Sequence, residues 1–139
     1  NHLFSSVRRA AEKELMRAPP NLQVIHSMCV GHMYGSTGVP INRLSAKYWC
    51  EKASEFGASS GMTLLAEIFE GDDIGSPNLE RARELYEKAA ALNHPHALGR
   101  LAKMQAEGTG GPKDLDRSEA NIQRLRDLQK ASKAQASRG

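Results

Sequence analysis

A period of 36 residues runs through this chain and restricts what it can fold into. Shifted by 36, Glu51, Lys52 and Ala53 fall on Glu87, Lys88 and Ala89. The same shift superposes Asn42, Asn78 and Asp114, then Ala46, Ala82 and Ser118, then Cys50, Tyr86 and Ile122. Lys52, Lys88 and Arg124 coincide, Gly57 meets Asn93, and Gly61 meets Ala97. A unit this short cannot bury its apolar side alone, so successive copies must stack on one another.

Each recurring class has a physical task. Asn42, Asn78 and Asp114 are residues whose side chains accept from the free N–H groups at a helix start. Pro40, Pro77 and Pro112 precede them, where a helix cannot yet have begun. Gly57 and Asn93 are the two residue types that most readily take the left-handed conformation closing a helix. Between cap and stop lie about four turns. In the second copy Leu79, Ala82, Leu85, Tyr86, Ala89 and Ala90 recur at three- and four-residue steps, one apolar stripe. Glu80, Arg83, Glu84 and Glu87 fall largely on the opposite side.

The other half of each unit also reads as helix. Val30-Gly31 and Tyr34 match Leu65-Ala66 and Phe69, then Leu101-Ala102 and Gln105. Small residues at Gly31, Ala66 and Ala102 allow a neighbouring helix to approach, with an aromatic covering the seam. In this register the loop after Tyr34 is one residue shorter than its counterparts. Glycine-rich turns follow, at 35–38, 71–75 and 108–111.

The chain is therefore predicted as all-α, a right-handed α-α superhelix of about three helix-pair repeats plus an N-terminal helix. A capping helix in 1–20 ends at Pro19-Pro20, the repeats occupy 21–57, 58–93 and 94–130, and a basic tail fills 131–139. The last helix, about 114–133, carries more charge, as a terminal repeat needs.

Composition narrows the function classes. Hydrophobic residues are 40% and charged residues 25%, ordinary for a folded domain rather than a disordered chain. No apolar run approaches the roughly 20 residues of a membrane span. Net charge is +3, with basic residues interleaved among acids except after Arg124. That basic end suits an acidic partner or a solvated helix terminus, and no nucleic-acid motif accompanies it. Two cysteines, Cys29 and Cys50, are too few for a disulfide framework. Cys50 lies in the inward stripe of its helix, where a buried thiol acts as a small apolar residue. Cys29 lies to one side of its helix's inner face, centred among His26, Val30, Gly31 and Tyr34. Pairing is open, but this geometry argues against it.

These residues resemble the Sel-one-like repeat family, relatives of the tetratricopeptide repeats. Its pattern is a small residue, L-G-x-x-Y, a G-x-G-V turn, an acidic cap, and K-A-x-x-W-Y-x-K-A-A ending in glycine. The first copy carries 30–34 (VGHMY), Gly38-Val39-Pro40 and 46–57 (AKYWCEKASEFG). The second carries Leu65-Ala66, Phe69, Arg81-Ala82 and 85–90 (LYEKAA). The third departs, with Gln105 for the aromatic, Ser118 for alanine and Asn121 for tryptophan. The likeness covers about 22–126. In the first copy His26 occupies the small position, so an imidazole must fit there or swing outward. The resemblance implies an adaptor or regulator that holds another protein. Related cysteine-rich bacterial repeats staple their helix pairs, but the cysteines here stand at other positions.

Chemistry-bearing residues are sparse. His94-Pro95-His96 opens a helix without a carboxylate or cysteine cluster, and His2, His26 and His32 are isolated, so structural or solvated roles are expected. The acidic turn at 67–73 lacks the alternating ligands of a calcium hand. No nucleophile–base set is visible, and no catalytic residue, metal or cofactor is predicted. The remaining signal is positional. On the first helix of each pair, the rows two and six beyond the small position point away from the inner stripe, and the row nine beyond it lies beside them. They contain Met28, Thr63 and Gly99, then His32, Glu67 and Lys103, then Gly35, Glu70 and Ala106. With Arg100 at the edge, Met28, His32, Thr63, Glu67, Glu70, Arg100 and Lys103 are the predicted partner-binding set on the concave face.

The expected function is a protein–protein interaction module, an adaptor or regulator of bacterial type. Alternatives are an immunity protein neutralising a secreted toxin, a hydrolase on cell-wall or β-lactam substrates, and a piece of a larger scaffold of the same repeats. Neither a cytoplasmic nor a secreted location is indicated, and oligomeric state is left open.

Overall fold

The computed structural model describes residues 2–15 and 21–138. The expected break at Pro19-Pro20 lies outside the described residues. Seven helices follow one another among them: α1 (His2–Leu15), α2 (Leu22–Tyr34), α3 (Arg43–Glu55), α4 (Ser59–Glu70), α5 (Leu79–Ala91), α6 (Pro95–Glu107) and α7 (Leu115–Arg138). α2 with α3, α4 with α5, and α6 with α7 form antiparallel hairpins, and each hairpin stacks on the next through α3–α4 and α5–α6. This is the expected solenoid. α2 also packs directly on α4, so the first helices of the hairpins form the inner wall.

Caps and stops set the helix limits. Asn42 Oδ1 accepts from Ser45 N at 3.0 Å, Asn78 Oδ1 from Arg81 N at 3.1 Å, and Asp114 Oδ1 from Arg117 N at 3.0 Å. Gly57 and Asn93 adopt φ of +86° and +63°, the left-handed turn that ends α3 and α5. The core is aliphatic and alanine-rich, with Trp49 and Tyr86 as its large rings. Gly61 of α4 is required by the stacking: a Cβ there would lie 2.5 Å from Ala53 Cβ on α3.

A repeated backbone bond fixes the internal register. Asn42 N donates to His32 O, Asn78 N to Phe69 O and Asp114 N to Gln105 O, all at 2.8 Å. His32, Phe69 and Gln105 are therefore equivalent, and α2 superposes on α4 by 37 residues rather than 35. The buried pairs Met28-Cys29, Leu65-Ala66 and Leu101-Ala102 follow the same offset. The first loop is thus one residue longer than its counterparts, not shorter. It closes on itself through reciprocal 2.9 Å bonds between Ser36 and Val39. Gly31 makes room for this loop rather than for a helix, since a Cβ there would meet Val39 Cγ1 at 3.0 Å.

This register corrects the reading of the cysteines. Cys29 occupies the small position held elsewhere by Ala66 and Ala102, and so faces α3. Cys29 and Cys50 are joined in a disulfide with Cα atoms 4.8 Å apart, both fully buried. The pairing that helical phasing had argued against is present, and it ties together the two helices of the first pair.

Arg83 is also placed differently from its sequence pattern. Instead of facing solvent it is 7% exposed, with Nη2 donating to Pro112 O at 2.9 Å and Nη1 to Thr109 O at 3.3 Å. α7 runs on as helix to Arg138, through the segment expected to be a tail, with every side chain from 129 to 138 exposed.

Candidate partner-binding groove

The inner wall carries a shallow groove of about 320 Å³ shared by three successive first helices. α2 contributes His26, Val30 and Tyr34; α4 contributes Ser60, Thr63, Leu64 and Glu67; His94 and His96 come from the start of α6. The spacing of α-helical turns brings these positions to one side of each helix.

Glu67 sits at the junction of all three helices. One carboxylate oxygen lies 2.9 Å from His96 Nε2, and the other accepts from the Tyr34 hydroxyl at 3.3 Å. Burial, then the charge and hydrogen bond of Glu67, raise the Tyr34 phenol above its ordinary range. Beside it, Glu70 pairs with Arg100. The fully buried Tyr86 ring stands against that pair, and desolvation, followed by the adjacent Glu70 carboxylate, raises its hydroxyl far above the ordinary tyrosine value.

His94 caps α6: its Nδ1 accepts from Ala97 N at 3.4 Å and lies 3.2 Å from Thr63 Oγ1. Burial, with the neighbouring His96 charge, lowers the His94 pKa against a smaller opposing pull from Glu67. The Thr63 hydroxyl has one proton and also bonds Ser59 O at 2.9 Å. Hydroxyl and ring nitrogen are both occupied in holding helix ends, which is a structural use of a pair that elsewhere serves nucleophilic chemistry. Among the described residues no group of three or more His, Cys, Asp or Glu is placed to hold a metal ion. Nor is any described helix long and apolar enough to cross a membrane.

The structure divides the predicted set. Glu67, Glu70 and Arg100 are half-buried along the inner wall and Lys103 is exposed. Met28, His32 and Thr63 are buried, at 3%, 0% and 2% exposure. For Met28 and His32 the reason is the two-residue register error, which turns a helix face by about 200°. His32 points inward in the place of Phe69, its Nδ1–H donating to Pro40 O at 3.1 Å. Desolvation holds its pKa below the imidazole range. In the corrected register His26 is the counterpart of Thr63 and Gly99, and Val30 that of Glu67 and Lys103. His26 thus stands half-buried in the groove wall, and Val24 occupies the small position of Gly61 and Ala97. Thr63 lines the groove but spends its hydroxyl proton on Ser59 O.

Sequence reasoning missed Tyr34, His26 and His96 as groove residues. Tyr34 is 56% exposed instead of covering an internal seam. The missed signal was the extra residue in the 35–41 turn, which breaks a constant offset between the two halves of the repeat.

Stacked helix hairpins with a side-chain-lined inner wall define a helical-repeat scaffold. The chain belongs to the Sel1 repeat family, whose model matches residues 26–55, 59–94 and 95–122. Proteins of this family generally mediate protein–protein interactions. Over 91 residues, 64% of its length, the chain is 33% identical to chitin synthase regulatory factor 1 of Schizosaccharomyces pombe, of which it spans 20%. The fold is similar to that of Helicobacter pylori cysteine rich protein B, with a TM-score of 0.65, 19% identity and 90% of each chain covered. It is likewise similar to a Sel1 repeat protein from Oxalobacter formigenes, with a TM-score of 0.74 and 21% identity over 92% of this chain and 49% of that one.

Proposed function

We propose that the chain docks a partner protein along its inner wall and acts as an adaptor or regulator. The observation that carries this reading is the bonding of Tyr34, Glu67 and His96, one residue from each of three successive repeats, across a single open groove. A surface assembled from separate repeats suits an extended segment of another protein better than a small molecule. The regulatory factor whose segment the chain resembles is in keeping with this role. Glu67 and Lys103 supply opposite charges along the wall, so partner choice rests on charge complementarity.

The test is affinity capture from the native source, read by mass spectrometry, with wild type beside E67K and K103E. Proteins retained by wild type and lost with both reversals, at unchanged helicity, are the expected result. Retention of the same proteins by both variants would place the docking surface elsewhere.

A further inference from the structure

Glu67 differs from the other ion-paired carboxylates among the described residues. Glu12, Glu55, Asp73, Glu84, Glu87 and Asp114 each pair with an arginine or lysine. So does Glu70, its neighbour one turn along α4. The partner of Glu67 is His96, an imidazole that carries charge only when protonated. The chain's nearby permanent cations are committed elsewhere, Arg100 to Glu70 and Arg43 to Asp73.

The carboxylate is also held in place. Tyr34 Oη and His96 Nε2 each engage one oxygen, fixing the rotamer from two sides while 27% of the side chain stays exposed. Each oxygen has a further lone pair, so the group still has acceptor capacity. The exposed ring that donates to it is an aromatic surface beside a carboxylate. An arginine finds both of its preferred contacts in that arrangement: an ion pair for its N–H groups and a ring face for its plane.

Resting on the concave-face reading above, we propose that the groove between α2, α4 and α6 receives a cationic side chain of the partner, arginine above all, paired to Glu67 and stacked on Tyr34. His96 is not a permanent cation as arginine or lysine would be, so the Glu67 charge is left for the guest and the site takes a positively charged segment and turns away an acidic one. Lys103, exposed two turns along α6 from His96, fixes the direction in which such a segment lies by repelling a second cation.

The test uses the whole chain, ¹⁵N-labelled, titrated at pH 7.5 with a blocked pentapeptide of arginine flanked by two alanines on each side. Parallel titrations use peptides with citrulline or glutamate in place of arginine. Saturable shifts of the Tyr34, Glu67 and His96 amides with the arginine peptide are expected, with affinity at least about tenfold above the citrulline isostere. E67Q is expected to remove that preference and Y34L to weaken it, each with a native spectrum. The wild-type arginine–citrulline contrast decides the matter even where a variant folds poorly. Equal binding of arginine and citrulline peptides, or no shift with arginine up to about 10 mM, overturns the proposal. Shifts of the same amides with the glutamate peptide but not the arginine one overturn it while leaving the inner wall as a docking surface.

Discussion

Cys29 on α2 and Cys50 on α3 are bonded across the centre of the first hairpin, 21 residues apart in the chain and wholly shielded from solvent. The bridge stands where the second hairpin sets Ala66 near Tyr86, so a covalent bond replaces a packed ring. Closing a loop of this length stabilises a fold by about 3 kcal/mol, chiefly by restricting the unfolded chain. Reduction, or the double change C29A/C50A, is expected to lower the thermal midpoint by about 10 °C. Circular dichroism melts with and without reductant measure this. Superimposable melts would mean that packing alone holds the first hairpin.

Two helical glycines should respond in opposite directions to the same change. At Gly61 an added methyl collides with Ala53 Cβ and approaches Ser54 N at 3.1 Å, so α3 and α4 must part. G61A is expected to cost about 1–3 kcal/mol, outweighing a gain of about 1 kcal/mol in helix propensity. At Gly99 the methyl would touch Leu125 Cδ2 at an ordinary 3.7 Å. G99A is expected to stabilise by about 0.5–1 kcal/mol. Urea midpoints of the two variants check the pair, and a stabilised G61A would contradict the close stacking.

Acid should loosen the fold through two histidines. His32 and His94 both have folded pKa values below the ordinary 6.5, each first because of burial. Between the folded and unfolded values the unfolded chain binds more protons, so stability rises with pH in that window. It is fully present above about 6.5 and is lost as pH falls through the depressed values. Denaturation midpoints are expected to be level from pH 7 to 8 and to decline below 6.5. His94→Asn keeps a capping side chain and removes one titrating ring, so it should flatten part of that decline. An acid limb identical to wild type would count against His94.

Arg83 holds the last loop to the second hairpin through the Thr109 and Pro112 carbonyls. Hydrogen bonds from a charged donor are worth more than neutral ones, and removing this one leaves two carbonyls without it. R83A is expected to cost about 2 kcal/mol and to raise amide exchange across 109–114. Its guanidinium also pairs with Glu87, and lysine lacks the planar fork that reaches both carbonyl oxygens, so R83K should recover little. Exchange unchanged in that loop would show that the Arg83 bonds do not hold it.

Much of the architecture was legible in the chain. Asn42, Asn78 and Asp114 cap as their side chains dictate, and Gly57 and Asn93 turn as their backbones allow, because capping and left-handed turns are local properties. Repetition then required stacking, since no single hairpin buries its own apolar stripe. What local chemistry left open was phase. One additional residue in the turn after Tyr34 is invisible to a period read from the second helices, yet it rotates the first helix relative to its counterparts. Whether Cys29 met Cys50, whether His32 faced solvent or Pro40, and whether Tyr34 joined Glu67 all depended on that rotation. Only the packed structure decided them, because helix phase is set by which residues a neighbouring helix will accept at closest approach. Cys29 fits against α3 in the place of an alanine, and the rest of α2 turns to follow.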